Sequence, residues 1–206
     1  MNIINHETLS VGVLYLTEID LDLKKVVDNL GNPPLWPRKP GFPTLVHIIL
    51  EQQVSLASAK AAFEKLNKAA TELTPERMLA FSDIELRAFG FSRQKAKYCR
   101  ELSQAIINGQ LDLDKLKNYD NSKAQSELMK IKGIGPWTAS IYLLMALLRS
   151  DIWPPGDIAL EKAIQKIKNL PEKPNRERAD EIARQWKPWR AVAARILWHY
   201  YLSSSF

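Results

Sequence analysis

Leu128-Met129-Lys130-Ile131-Lys132-Gly133-Ile134-Gly135-Pro136-Trp137-Thr138-Ala139 reads as the end of one helix, a tight hairpin and the start of another helix. Leu128 and Ile131, at i, i+3 spacing, close the first helix, and Gly133 supplies the residue past its end that must turn left-handed. Gly135 keeps the turn free of a side chain. Pro136 opens the next helix at its first position, where a missing N–H costs nothing. Such a hairpin points backbone N–H groups outward with the positive end of a helix dipole behind them. That suits an anionic oxygen, and Lys130 and Lys132 flank it. The same residues also make a plain helix–helix turn, so the turn alone leaves both readings open.

Working outward, the run 136–149 carries Thr138 and Ser140 in an otherwise apolar stretch before Arg149, which predicts a central helix buried all round. The rest of the chain also reads as helix. Leu9, Val13, Leu16 and Ile19 recur at helical spacing, although 11–16 would also pass for a short strand. Asp20 caps a helix ending at Gly31. Residues 32–42, with Pro33, Pro34, Pro37 and Pro40, form a connector. Pro43 starts a helix that buries Leu45, Ile48 and Ile49, and Ser55 caps the next one. Thr74-Pro75-Glu76 marks a further start, Ser82 with Glu85 makes a capping box, and Ser92 caps a basic helix running to Gly109. Ser122 with Gln125 is expected to cap the first hairpin helix. Asp157, after Pro154-Pro155-Gly156, caps a helix over 158–168.

The 206 residues fit one large or two small domains, and 46% hydrophobic with 25% charged residues is ordinary for a globular chain. A net charge of +6 favours a polyanionic partner only modestly. The single cysteine, Cys99, excludes an internal disulfide and a cluster held by four thiolates, and it reads as a small core residue. His6, His47 and His199 have no ligand-spaced neighbours, so no metal site is expected. The first residues do not form a signal peptide and the longest apolar run, 141–148, is too short to span a bilayer. The expectation is an intracellular monomer without membrane contact, cytoplasmic or nucleoid-associated, or nuclear if the source is eukaryotic.

The ordered set GIGPWTA (133–139), PPGD (154–157) and WKPWR (186–190) resembles the helix-hairpin-helix (HhH-GPD) DNA glycosylases, most closely their alkylbase, or 3-methyladenine, branch. The resemblance covers roughly residues 42–202. It implies an all-α, two-lobed fold with the active site and DNA cleft between the lobes. One lobe would span 43–148, including the motif at 128–149, and the other 1–42 with 157–206. Damaged double-stranded DNA would be the partner, and alkylated purines would be excised by hydrolysis to leave an abasic site. The same chemistry on an oxidised, deaminated or etheno base, and a non-catalytic DNA-binding role, stay open.

The resemblance also assigns residues. Asp157 would be the catalytic carboxylate, stabilising positive charge on the sugar, although capping alone would also account for an Asp there. Trp137 stands where relatives that also cut the backbone carry a Schiff-base lysine, which implies a monofunctional enzyme with water as nucleophile. Trp137, Trp198 and Ile141 would line the pocket for a flipped base. Ile141 replaces a pocket tyrosine. Lys132, Gly133, Ile134, Gly135 and Thr138 would form the DNA-binding hairpin. Gln52, Gln53, Val54 and Ser55 match the wedge loop, with Gln53 in place of a leucine. No cofactor is implied, and whether a monovalent ion sits at the hairpin when DNA is bound is left open. Trp153, Trp186 and Trp189 read as structural.

Overall fold

The computed structural model describes residues 3–204. It is all-helical, with one isolated antiparallel bridge, Ile3 to Arg149, among the described residues. The helices are α1 (His6–Ile19), α2 (Leu21–Leu30), α3 (Phe42–Glu51), α4 (Leu56–Ala70), α5 (Pro75–Ala80), α6 (Asp83–Phe89) and α7 (Arg93–Ile107). After the 3₁₀ turn Lys115–Asn118 come α8 (Asn121–Met129), α9 (Pro136–Met145), α10 (Ile158–Ile167) and α11 (Arg176–Ala183). A second 3₁₀ turn, Arg184–Trp186, leads to α12 (Arg190–Ser203). No helix is long and apolar enough to cross a membrane among the described residues.

The chain divides into two compact units. The first holds the described residues of Met1–Pro37 and Leu143–Phe206; the second is Arg38–Tyr142. The division falls inside α9.

In the first unit α12 packs on α1, α2 and α10. Ala191 through Ala194, Ile196 and Leu197 are at most 1% exposed, so α12 is surrounded by protein along most of its length. The connection after α9 ends where Leu148 takes φ +53°, and the Ile4 amide donates to Leu148 O (2.7 Å). Asp20 ties the unit together. It caps α2 through the amides of Asp22 and Leu23 (3.0 and 3.2 Å), accepts Lys168 Nζ (2.7 Å) and accepts the Trp186 indole N–H (2.9 Å).

In the second unit α3 packs on α4 and α7, and α7 on α5 and α6. Cys99 is fully buried there and burial pushes its thiol up to about 12, which makes it a packing residue and no nucleophile.

Two local expectations are corrected. The helix expected over 136–149 stops at Met145, and Arg149 N–H turns back to Leu143 O (3.0 Å). The cap of α8 is Asp120, whose side chain accepts Lys123 N–H at 2.8 Å; Ser122 lies within the helix. Gln125 instead donates to Ser140 Oγ (2.9 Å), joining α8 to α9. An acidic residue ahead of the serine accepts the N3 amide first, so the helix starts two positions earlier.

Candidate functional site

The hairpin belongs to the second unit. Leu128 is buried at the end of α8, and Ile131 and Ile134 are 7% and 3% exposed, so apolar side chains anchor both arms of the turn. Ile134 N–H donates to Ile131 O (3.0 Å), and the ladder of α9 opens with Ala139 N–H to Gly135 O (3.0 Å). The amides before Ala139 therefore lie outside that ladder, as at any helix start.

The two glycines have different reasons to be glycine. Gly133 has φ +95°, and a Cβ there would fall on the Tyr98 ring, 2.6 Å from Tyr98 Cβ. Any side chain would meet both backbone strain and the aromatic ring. Gly135 is outside the left-handed region, and a Cβ on it would have no neighbour within 4 Å. Nothing in the fold demands glycine at 135, so the bare backbone there faces open space.

Gln52, expected in the wedge loop, has a structural partner that sequence reading did not supply. It ends α3, and its Nε2 donates both to Gly133 O and to Thr138 Oγ1, each at 2.9 Å. It therefore clamps the hairpin. Thr138, expected among the DNA contacts, is only 2% exposed and its hydroxyl is occupied by this bond, which makes it a buried member of the clamp. The base of the 52–55 loop is fixed by Arg38, which holds Glu51 with two bonds (2.7 and 2.9 Å), and by Lys95 Nζ on Leu50 O (2.6 Å). Ser55 caps α4 through Ser58 N–H (3.2 Å). That leaves Gln53, exposed with φ +56°, and Val54, 46% exposed, as the side chains the loop presents to solvent. Tyr98, Lys95 and the Arg38–Glu51 pair had no local sequence signature, since each partner lies on another element.

Lys132 is exposed, and Lys130 forms an ion pair with Glu127 (2.7 Å). Trp137 is part-exposed in the first turn of α9, and Ile141, one turn further on the same face, is 3% exposed.

The first unit carries the carboxylate. Asp157 is the N-cap of α10, and its Oδ1 accepts Leu160 N–H at 3.0 Å. The same oxygen accepts the indole N–H of Trp198 at 3.3 Å, and Trp198 is 8% exposed on α12. The structure thus brings together two residues that the sequence singled out separately. Trp153 and Trp186 spend their indole N–H groups on carboxylates too, Asp180 (3.1 Å) and Asp20 (2.9 Å), in packed surroundings, and Trp189 is 8% exposed. A carboxylate held on a helix N-terminus next to an aromatic plane can stabilise a neighbouring cation and orient a water molecule.

Comparison with known proteins places these features in a family. The HhH-GPD superfamily base excision DNA repair protein model matches residues 46–189. The chain is 30% identical over 162 residues to a putative DNA-3-methyladenine glycosylase of Bacillus subtilis, covering 75% of this chain and 56% of that protein. It thus spans little more than half of that relative. DNA-3-methyladenine glycosylase 1 of Schizosaccharomyces pombe is 25% identical, with 93% of this chain and 87% of the relative covered. The solved structure of the S. pombe 3-methyladenine DNA glycosylase Mag1 with abasic DNA superposes with a TM-score of 0.84 at 26% identity, covering 91% of this chain and 94% of that one. A DNA-3-methyladenine glycosidase from Bacillus halodurans gives 0.76 at 27% identity, with 92% and 88% covered.

Proposed function

Because the chain belongs to the HhH-GPD superfamily of base excision DNA repair proteins, we propose that it is a DNA glycosylase that excises alkylated purines of the 3-methyladenine kind from duplex DNA. The observation that carries the reading is the Asp157 carboxylate fixed at the start of α10 by Leu160 N–H and Trp198 Nε1.

Scission of the N-glycosidic bond sends its electron pair into the departing base. Alkylation has already made that base cationic, so it leaves neutral, while positive charge grows on the sugar. Asp157 stabilises that oxocarbenium-like charge, and water then adds to the anomeric carbon and loses its proton. The target base must leave the stack to be reached. Trp198 offers a π face beside the carboxylate, where a cationic purine gains more than a neutral one. The hairpin at 132–135 supplies sequence-independent phosphate contacts, with or without a bridging monovalent ion, and Gln53 fills the gap left by the flipped base. With Trp137 where lyase relatives carry lysine, water is the nucleophile and no cofactor is required.

The test is a panel of duplexes, each with one damaged base, assayed for abasic sites by alkaline cleavage. Release of 3-methyladenine or 7-methylguanine is expected. Failure to release any base from the panel would overturn the proposal.

A further inference from the structure

Trp36 is held in a conformation that a tryptophan avoids. Its φ is +46°, and the next residue is Pro37. A bulky side chain is rare in the left-handed region, and a residue before proline favours extended backbone, so two local rules are broken together. Such strain persists only where the surroundings enforce it.

The enforcing group is Arg195. It is fully buried in α12, and burial brings its pKa down to about 10. Its Nη1 donates to Ala191 O in its own helix and its Nη2 to Leu144 O at the end of α9, each at 2.9 Å. Its Nε donates to Leu35 O, also at 2.9 Å, and so fixes the peptide that precedes Trp36. Leu35 itself is only 7% exposed. A guanidinium taken wholly out of water is a costly way to hold a connector.

The ring so placed is part-exposed and meets His199 edge-on, with centroids 6.4 Å apart and planes at 80°. His199 follows Trp198, the partner of Asp157. Whereas Trp153, Trp186 and Trp198 each give their indole N–H to a carboxylate, the N–H of Trp36 finds no hydrogen-bond partner among the described residues. A strained aromatic with an unspent donor, set against the α12 residue that follows Trp198, is shaped for a flat ligand that carries an acceptor.

We propose that Trp36 is a base-contacting residue that receives the extruded alkylated purine on its indole, and that Arg195 is the positioning residue that holds it there. The proposal rests on the glycosylase reading. A cationic purine is attracted to the indole face, and its ring nitrogens or exocyclic oxygen can accept the indole N–H.

The experiment compares Trp36→Phe, Trp36→Leu, Arg195→Lys and the Trp36→Leu/Arg195→Lys double variant, with melting temperatures recorded for each. Single-turnover excision of 7-methylguanine and equilibrium binding to lesion and undamaged duplexes are measured together. Trp36→Leu keeps apolar bulk but no π face, and should slow excision on the order of tenfold while leaving affinity for undamaged duplex unchanged. Trp36→Phe should stay within about threefold of wild type, because the flat face survives. Arg195→Lys should slow excision, and should add little to Trp36→Leu because it acts through the same residue. Wild-type excision by Trp36→Leu overturns the inference and leaves the glycosylase reading standing. So does equal loss on lesion and undamaged duplexes, or a Phe variant as slow as the Leu one. Should the wild-type protein release no base, the glycosylase reading fails. Binding then decides for Trp36: a preference for lesion duplex that Trp36→Leu abolishes supports the contact, and no such preference overturns it.

Discussion

Trp198 Nε1 and Asp157 Oδ1 lie 3.3 Å apart, on the oxygen that also accepts the Leu160 amide at 3.0 Å. One oxygen of the carboxylate is thereby committed to structure from two directions, which fixes the plane of the group and the ring beside it. Asp157→Asn can still cap α10, because asparagine is as good a cap as aspartate. Base release in single-turnover assays should nevertheless fall on the order of a hundredfold or more, since the charge is gone. Affinity for abasic-site duplex should hold. A variant that excises at the wild-type rate would reduce Asp157 to a cap.

The two hairpin glycines should separate stability from DNA binding. Gly133→Ala forces a side chain to φ +95° and onto Tyr98, and should lower unfolding free energy in urea by about 1–3 kcal/mol. Gly135→Ala has open space and should leave the urea midpoint unchanged. If a phosphate approaches that bare backbone, Gly135→Ala should weaken binding to damaged and plain duplexes alike. Loss of one phosphate contact would also flatten the slope of log K against log salt by about 0.9. Undiminished affinity would leave the hairpin a plain turn.

Adjacent glutamines should respond in opposite ways. Gln52→Ala opens the bonds to Gly133 O and Thr138 Oγ1 and should cost about 1–2 kcal/mol in chemical denaturation. Gln53→Gly relieves φ +56° at an exposed tip and should leave stability equal or slightly raised, by up to about 1 kcal/mol. Excision by Gln53→Gly should slow all the same, because the gap in the duplex is left unfilled. A Gln53→Gly protein with full activity would remove this residue from the wedge.

Acid should act on the first unit through Asp20. Burial pushes its pKa up, but the bonds from Lys168 and Trp186, the Lys168 charge and the Leu23 amide outweigh burial and leave it below the ordinary carboxylate value. A depressed folded pKa means stability that is complete above the unfolded value, near 3.9, and is lost as pH falls through the folded one. Urea midpoints followed from pH 6 downward should therefore drop less steeply in Asp20→Asn than in wild type, from a lower starting point. Parallel curves would show that Asp20 titrates alike in both states.

Product DNA should remain unbroken until treated with alkali. Trp137 cannot form an imine with the sugar, so borohydride should trap no protein–DNA adduct. A trapped adduct would require a lysine elsewhere to act as nucleophile.

Much of this was legible in the residues. Asp20, Ser55, Thr74, Ser82, Ser92 and Asp157 all cap where their side chains said they would, because capping is decided within four residues. Gly133 and Pro136 likewise announced the hairpin. What stayed hidden depends on partners far along the chain. Gln52 reads as a loop residue until Gly133 and Thr138 arrive beside it, 81 and 86 positions on. The burial of α12 was masked by Arg195, which breaks an apolar pattern that Ala191 to Leu197 otherwise complete. An arginine is read as surface unless three carbonyls are known to await it.

The first unit is assembled from both flanks of the second, as the Ile4–Leu148, Asp20–Lys168 and Leu35–Arg195 bonds show. Translation therefore delivers its pieces apart in time. At ordinary rates the ribosome takes roughly 5–20 s to make Arg38–Tyr142. Throughout that interval Leu9, Val13, Leu16, Leu23 and Val26, all buried in the finished fold, have no α12 to cover them. Nascent α1 and α2 are thus the stretch a chaperone would meet first. A substitution that delays the docking of α12 would lower the yield of folded protein while leaving the stability of molecules that do fold almost untouched.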